Sequence, residues 1–308
     1  MLAFGYRRYG GPEVFEVIDI PEPQPKKNEL LLDVLAVGLN NRERAERAGT
    51  GYGGHTSGLI ISGRDAVGRI IGVGTNLTTD FRKGMLVATH TEHAYAAQVL
   101  AEPDNSALIP ENVTPMTAAG LITPGITAYK AIHLFAQIHA GDTVIVKGAS
   151  GGVGLIAVQL LKNLQAHVIG IASSKKEGLV KAAGVDEFVA YDQVDVSQTL
   201  AERGDVVFNL AMNGVGGADD VAMVKAGGTI ASVAHDTPAS HKTITFNHIH
   251  PTNTISDHEA LAFLLDQVAQ GHLTVDIGQE LPFTLEGIIA GHNYLENPHD
   301  GRAILKRA

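Results

Sequence analysis

The apolar positions of this chain fall into three blocks of different spacing. From residue 1 to about 117 they come in short runs broken by Gly, Pro and Asn, and residues 29–37, 67–73, 85–89 and 95–100 read as strands joined by tight turns. From residue 117 to about 255, β-branched runs alternate with stretches at helical spacing. That alternation predicts βαβ units on a parallel sheet, with strands at residues 143–146, 166–171, 188–190, 205–209, 229–233 and 243–246. The third block opens on Ser256-Asp257-His258-Glu259, an N-cap with Glu at the third helical position. Leu261, Leu264, Leu265 and Val268 then share one helix face as far as Gly271, and residues 302–305 close the chain as a strand. The pattern is α/β: a doubly wound parallel sheet over residues 118–255, and a mostly-β domain assembled from residues 1–117 and 256–308.

One junction of the second block has a chemical reading. Thr143-Val144-Ile145-Val146 has the composition of a buried strand, and Ile156, Ala157, Leu160, Leu161 and Leu164 recur at helical spacing. Between them lie Gly148, Ala149, Ser150, Gly151, Gly152, Val153 and Gly154, a turn nearly free of side-chain bulk. A dinucleotide pyrophosphate needs this order, because glycines let the backbone approach the phosphates and the helix N-terminus offers N–H groups and a positive dipole end. Ala149 stands in the first place of the usual G-x-G-x-x-G. A plain βα turn is the alternative; the flanking strand and helix favour a Rossmann domain.

The next strand bears on which dinucleotide. An NAD site places Asp or Glu about twenty residues beyond the glycines. Here the strand ends in Ala172-Ser173-Ser174-Lys175-Lys176, and the first acid is Glu177. Hydroxyl and ammonium groups suit a 2′-phosphate, through charge-assisted hydrogen bonds worth about 1.5–3 kcal/mol each. Two lysines at a helix start are otherwise opposed by the dipole, although they also serve as solvated surface residues. Ser173, Ser174 and Lys175 therefore predict NADPH as the cofactor. The strand ends at Asn209-Leu210 and Val233-Ala234 are expected at the crevice where the strand order reverses, against ribose or nicotinamide.

Composition removes several other classes. The 308 residues carry a formal net charge of −10, which argues against a nucleic-acid or anionic-membrane partner. No apolar run is long enough to span a bilayer, and the first residues lack the apolar core of a signal peptide, so a cytoplasmic protein is expected. Cysteine is absent, which rules out disulfides and thiolate chemistry. Among the 14 histidines, His248 and His250 alternate on a strand and His90 and His93 are close in a turn. Neither pair has a carboxylate or Cys at a familiar ligand spacing, so exposed or interface roles are expected and no metal site.

Tyr9-Gly10-Gly11-Pro12-Glu13-Val14, Pro21-Glu22-Pro23, Gly38-Leu39-Asn40, Gly63-Arg64-Asp65-Ala66-Val67-Gly68, the 148–154 turn, Gly271-His272-Leu273 and Gly301-Arg302-Ala303-Ile304-Leu305 together resemble the medium-chain dehydrogenase/reductase superfamily. Within it the chain is most similar to the zinc-independent quinone oxidoreductases. The resemblance implies a GroES-like catalytic domain beside the Rossmann domain. It also implies hydride transfer from NADPH to a quinone or related electrophilic carbonyl acceptor. Asn40 and Arg64-Asp65 stand where zinc-dependent relatives carry their Cys and His-Glu ligands, so no catalytic zinc is expected, and without a Lewis acid alcohol oxidation is disfavoured. An enal or enone double-bond reductase is one alternative, and a non-catalytic NADPH-binding regulatory protein is another.

The same resemblance nominates pocket residues. Asn40 is placed to hydrogen-bond a carbonyl oxygen, or to hold a turn. Tyr52, in a loop with Gly49, Gly51, Gly53, Gly54 and Gly58, is placed to stabilise or protonate an enolate, or to be a surface tyrosine. Arg64 binds substrate or pairs with Asp65, and Glu43 replaces the Asp of many relatives. Thr127 lies at the base of the nicotinamide pocket. Tyr191 lies near the adenosine 2′-phosphate or packs its loop. Residues 243–248 form a sheet edge that a second copy could extend into a homodimer.

Overall fold

The computed structural model describes residues 1–50, 58–75 and 80–307. Two compact units divide the chain: Met1–Thr123 with Ser256–Gly271 and Val275–Ala308, and Pro124–Ile255 with His272–Thr274.

The first unit begins with β1 (Leu2–Tyr6), β2 (Glu16–Asp19), β3 (Leu30–Gly38), helix α1 (Asn41–Ala48), β4 (Ile60–Ile61), β5 (Asp65–Val73), β6 (Leu86–His90), β7 (Gln98–Ala101) and β8 (Ser106–Leu108). Leu30, Leu32, Val34 and Ala36 of β3 alternate toward the core and are fully buried, the period of a strand with one apolar face. β3 pairs antiparallel with β5 from Leu30↔Val73 to Gly38↔Asp65, and β6 and β8 continue the sheet. The strand expected at 95–100 is shorter. Ala97 N–H donates to Leu2 and Phe4 N–H donates to Tyr95 (2.8 Å each), so the segment before Gln98 is drawn to β1. α1, absent from the apolar pattern because its exposed face is charged, starts with Asn40 N–H donating to Glu43 Oε2 at 3.0 Å.

Helix α2 (Pro115–Phe135) gives no amphipathic signal, since Ala118, Ala119, Leu121, Ile122, Ile126 and Ala128 bury nearly every face. The division between the units falls within it, between Thr123 and Pro124. Pro124 has no N–H for the Gly120 carbonyl one turn back. That carbonyl instead accepts a hydrogen bond from Arg302 Nε at 3.1 Å.

The second unit holds β9 (Thr143–Lys147), α3 (Gly152–Asn163), β10 (His167–Ala172), α4 (Glu177–Ala182), β11 (Glu187–Ala190), α5 (Val196–Thr199), β12 (Gly204–Asn209), α6 (Gly217–Met223), β13 (Val224–Ser232) and β14 (Thr245–His248). All six strands are parallel, in the order β11-β10-β9-β12-β13-β14. This is the doubly wound Rossmann order, which reverses between β9 and β12. β9 has a neighbour on each side, and Val144, Ile145 and Val146 are fully buried, as a central parallel strand requires. β14 is the sheet edge.

The chain then completes the first unit with α7 (Asp257–Ala269), β15 (Ile277–Pro282), α8 (Leu285–Glu296) and β16 (Arg302–Lys306). Ser256 Oγ accepts the Glu259 N–H at 3.1 Å, the expected cap. α7 is tied down by His90 Nδ1 with Asp257 Oδ2 (2.7 Å), and by His258 Nδ1–H donating to the Ser106 carbonyl (2.6 Å). β16 returns antiparallel to β3, from Ile304↔Gly38 to Lys306↔Ala36, and so brings Arg302 near Asn40. No helix among the described residues is long and apolar enough to cross a membrane.

Candidate functional site

In the second unit, the turn after β9 is built around two glycines. Gly148 has φ +80°, and a Cβ there would lie 2.8 Å from Ala211 N and 2.9 Å from Leu210 C. At Gly154 a Cβ would lie 2.8 Å from Ala149 Cα. Gly148 and Ala149 N–H both donate to Ile171 O (3.1 Å), and Gly151 N–H donates to Gly148 O (3.1 Å), which pins the turn to β10. Gly151 is the N-cap of α3 and supplies no side-chain cap, so the first turn, Gly152-Val153-Gly154, presents its backbone donors beside the partly exposed Ser150. This is an anion cradle at the switch point of a doubly wound sheet. Gly154→Val, whose branched side chain has no room against the Gly148-Ala149 backbone, is expected to weaken dinucleotide binding by about tenfold or more. Calorimetric titration of the variant checks this, and unchanged affinity would remove the cradle from the site.

The end of β10 holds a residue that the sequence reading did not name. Along this strand the first acid is Glu177, but β11 supplies another from the side. Ala172 is paired with Ala190 in parallel register, so Ser174 and Asp192, each two residues further on, stand together. Ser174 N–H donates to Asp192 Oδ1 and Ser174 Oγ–H to Oδ2, both at 2.7 Å. These two bonds hold the Asp192 carboxyl below its usual range, with Lys175 assisting. Ser173 Oγ accepts the Lys175 N–H at 3.3 Å, and the Lys175 side chain is exposed. Tyr191 is 60% exposed, and its N–H donates to Ala172 O (3.1 Å), which ties its backbone to the end of β10. Asp192 escaped the sequence reading because only sheet register brings it here.

The other strand ends are partly spoken for. Asn209 is fully buried, and its Nδ2 donates to Asp220 Oδ2 (2.6 Å), Gly214 O (3.2 Å) and Val215 O (3.0 Å). Asn209 Oδ1 accepts Ala211 N–H, so the amide that was expected against ribose holds the loop after β12. Lys147 completes this network by donating to Asp220 Oδ1 (3.0 Å) and Gly216 O (2.8 Å). A lysine closing an apolar strand was the one sequence signal for it. Leu210 N–H donates to Lys147 O, Val233 N–H to Asn209 O, and Ala234 N–H to Ser232 Oγ. These segments leave the carboxyl ends of β12, which borders the reversal of strand order, and of its neighbour β13.

In the first unit, the sequence-nominated Asn40 and Arg64 belong to a buried polar cluster. Asp65, fully buried, accepts from Asn40 Nδ2 (3.0 Å), Thr123 N–H (3.1 Å) and Thr123 Oγ1–H. Arg302 Nη2 donates to Asn40 Oδ1 and lies 4.0 Å from Asp65. Burial pushes the Arg302 guanidinium down, against the pull of Asp65 and Glu43. Arg64 does not pair with Asp65. Its two terminal nitrogens fork onto Glu46 at 2.8 Å each, and Nη1 lies 3.5 Å from Glu43 Oε1. Glu43 is fully buried, and its carboxyl is raised to about 7, chiefly by burial and then by Asp65, with Arg64 opposing. Thr127 follows Thr123 one turn along α2 and is half-buried. Tyr52 lies outside the described residues.

The histidines form no metal set: among the described residues no three His, Asp or Glu side chains converge to hold an ion. His248 Nδ1–H donates to Ala234 O (2.6 Å), and the His248 and His250 rings stack with centroids 5.7 Å apart. At the positions of the zinc ligands, the amide of Asn40 and the carboxylate of Asp65 are taken up by each other, Arg302 and Thr123.

Residues 152–259 match the family model described as zinc-binding dehydrogenase, a stretch that excludes Asn40, Arg64 and Asp65. The chain is 30% identical to the quinone oxidoreductase of Homo sapiens over 82% of its length and 76% of the relative's. It is 25% identical to the chloroplastic NADPH-dependent alkenal/one oxidoreductase of Arabidopsis thaliana, over 97% of its own length and 77% of that protein's. A mycobacterial structure complexed with NADPH superposes with a TM-score of 0.86 at 26% identity, covering 99% of this chain and all of that one. The doubly wound sheet, the glycine cradle, the altered ligand positions and these likenesses agree: the chain is a quinone oxidoreductase-like enzyme and belongs to the zinc-independent quinone oxidoreductases of the medium-chain dehydrogenase/reductase superfamily.

Proposed function

We propose that this enzyme reduces quinones or related electrophilic carbonyl compounds with NADPH as reductant and with no catalytic metal. The observation that carries the reading is the uncapped start of α3 at the strand-order reversal, with glycines where a Cβ would close the cradle. These residues fit a dinucleotide: the N–H groups of residues 152–154 would hold the pyrophosphate, and Ser173, Ser174, Lys175 and Tyr191 would contact the adenosine ribose. When bound, the nicotinamide supplies the hydride. The chain's own contribution in the first unit is a fixed polar group: Asp65 and Arg302 hold the Asn40 amide in one orientation, and its second Nδ2 hydrogen is the proposed donor to an acceptor oxygen. Tyr52 is the proposed proton donor.

The test is NADPH oxidation in the presence of a panel of quinones and alkenals. Turnover of quinones supports the reading, and loss of that turnover in Tyr52→Phe supports the proton donor. A panel in which only alkenals react favours the second reading, double-bond reduction, to which the likeness with the alkenal/one oxidoreductase over 97% of the chain lends weight. Oxidation of NADPH by neither class would overturn both. A second copy paired along β14 is proposed for the solution state, and a monomeric mass in solution would overturn it.

A further inference from the structure

We propose that Asp192 sets the cofactor preference of this chain, its carboxylate occupying the two donors that a ribose 2′-phosphate needs and allowing NADH to bind in the same place. The proposal rests on the dinucleotide reading above and adds to it the choice between the two cofactors. Ser174 N–H and Oγ–H are two donors at the end of β10, and both go to Asp192 at 2.7 Å. The carboxylate therefore stands where one anionic group would be received, and it already has the two-point contact that a phosphate makes. Parallel register fixes it there, since Ala172↔Ala190 sets Ser174 opposite Asp192. Asp192 is exposed, so it can swing away without opening the core.

The two cofactors meet this arrangement differently. A 2′-hydroxyl donates to a carboxylate, so NADH can leave the Ser174–Asp192 bonds in place and add one of its own. A 2′-phosphate has only acceptors. It must displace Asp192 from Ser174 and then lie beside a like charge, with exposed Lys175 as the compensating cation. NADPH affinity is thereby held down, and a strand end rich in hydroxyls and lysines loses part of the selectivity its composition suggests.

Calorimetric titration of the full chain with NADPH, NADH, 2′-AMP and 5′-AMP tests this without relying on turnover. The wild type is expected to bind NADPH and NADH within about a factor of ten of each other. In Asp192→Ala the NADPH and 2′-AMP dissociation constants are expected to fall about tenfold, the gain from freeing two charge-assisted donors, while those of NADH and 5′-AMP stay level or rise. Asp192→Asn should shift the ratio the same way, because the amide lacks the repelling charge. An NADPH-to-NADH ratio unchanged in both variants, with both dinucleotides still bound, overturns the role of Asp192 and leaves the dinucleotide reading standing. Failure of the wild type to bind either dinucleotide overturns both.

Discussion

Asp65→Ala should lower the folding stability of the chain by about 3–5 kcal/mol, the scale seen when one partner of a buried charge pair is removed. The cost has two sources. Asp65 accepts two hydrogen bonds from Thr123, including the N–H of a helix interior, and a third from Asn40, so three hydrogen bonds are lost at once. Arg302 also loses its nearest buried countercharge and is left with Asn40 and Gly120 oxygens. Asp65→Asn keeps an acceptor for Thr123 and should cost less. Removing both charges, as Asp65→Ala with Arg302→Met, should recover part of the loss even though the Gly120 carbonyl then loses its bond from Arg302 Nε. Urea unfolding of the three variants measures these differences. A loss under about 1 kcal/mol for Asp65→Ala would show that the cluster does not hold the first unit together.

The pH dependence of stability carries the second large effect, and two buried groups push it in opposite directions. His292 is fully buried, its ring centroid 4.7 Å from that of Phe15 and its Nε2 hydrogen-bonded to the Tyr95 hydroxyl at 3.1 Å. Among the described residues its Nδ1 has no partner. Burial, reinforced by Arg47 and Arg44, holds it down at about 3. Below the ordinary value of 6.5 the unfolded chain takes up a proton that the folded chain refuses until about pH 3, so stability falls as pH drops through that window. Between pH 7.5 and pH 4 the loss is about 3 kcal/mol. His292→Gln has no such proton, and its stability should therefore gain on the wild type by that amount as pH falls.

Glu43 has the reverse sign. Its folded value near 7 lies above the ordinary 4.5, so the folded state keeps a proton that the unfolded state gives up, and stability is lost as pH rises through 4.5 to 7. Glu43→Gln retains an acceptor for Asn40 N–H and should be more stable than the wild type by about 3 kcal/mol at pH 8, with little difference at pH 4. Thermal unfolding across a pH series reads both effects. A Glu43→Gln variant less stable than the wild type at pH 8 would overturn the assignment of a buried, proton-retaining carboxyl.

Local patterns were legible wherever one element faces one environment. β9 reads as a buried strand because Val144, Ile145 and Val146 have a sheet neighbour on each side, and the turn after it reads as a phosphate cradle because Gly148 and Gly154 leave no room for a Cβ. α7 was visible from its cap at Ser256 and its single apolar face. α2 was not, because a helix buried on nearly all sides has no polar face to set a period, and its Pro124 argues locally against a helix. β7 was drawn too long because the pull of β1 on the preceding segment is a contact between distant residues.

The sequence by itself determined the α/β alternation and the phosphate turn, since each depends on residue types within a few positions of one another, and its resemblance to the medium-chain superfamily implied the replacement of the zinc ligands. Tertiary structure alone decided that Asp192 meets Ser174, that Asn209 holds a loop with Lys147 and Asp220, and that Arg64 pairs with Glu46 while Arg302 joins Asn40 and Asp65. Charge and hydrogen-bond partners are chosen by proximity in space. Strand register and the return of β16 to β3 set that proximity, and no spacing along the chain encodes it.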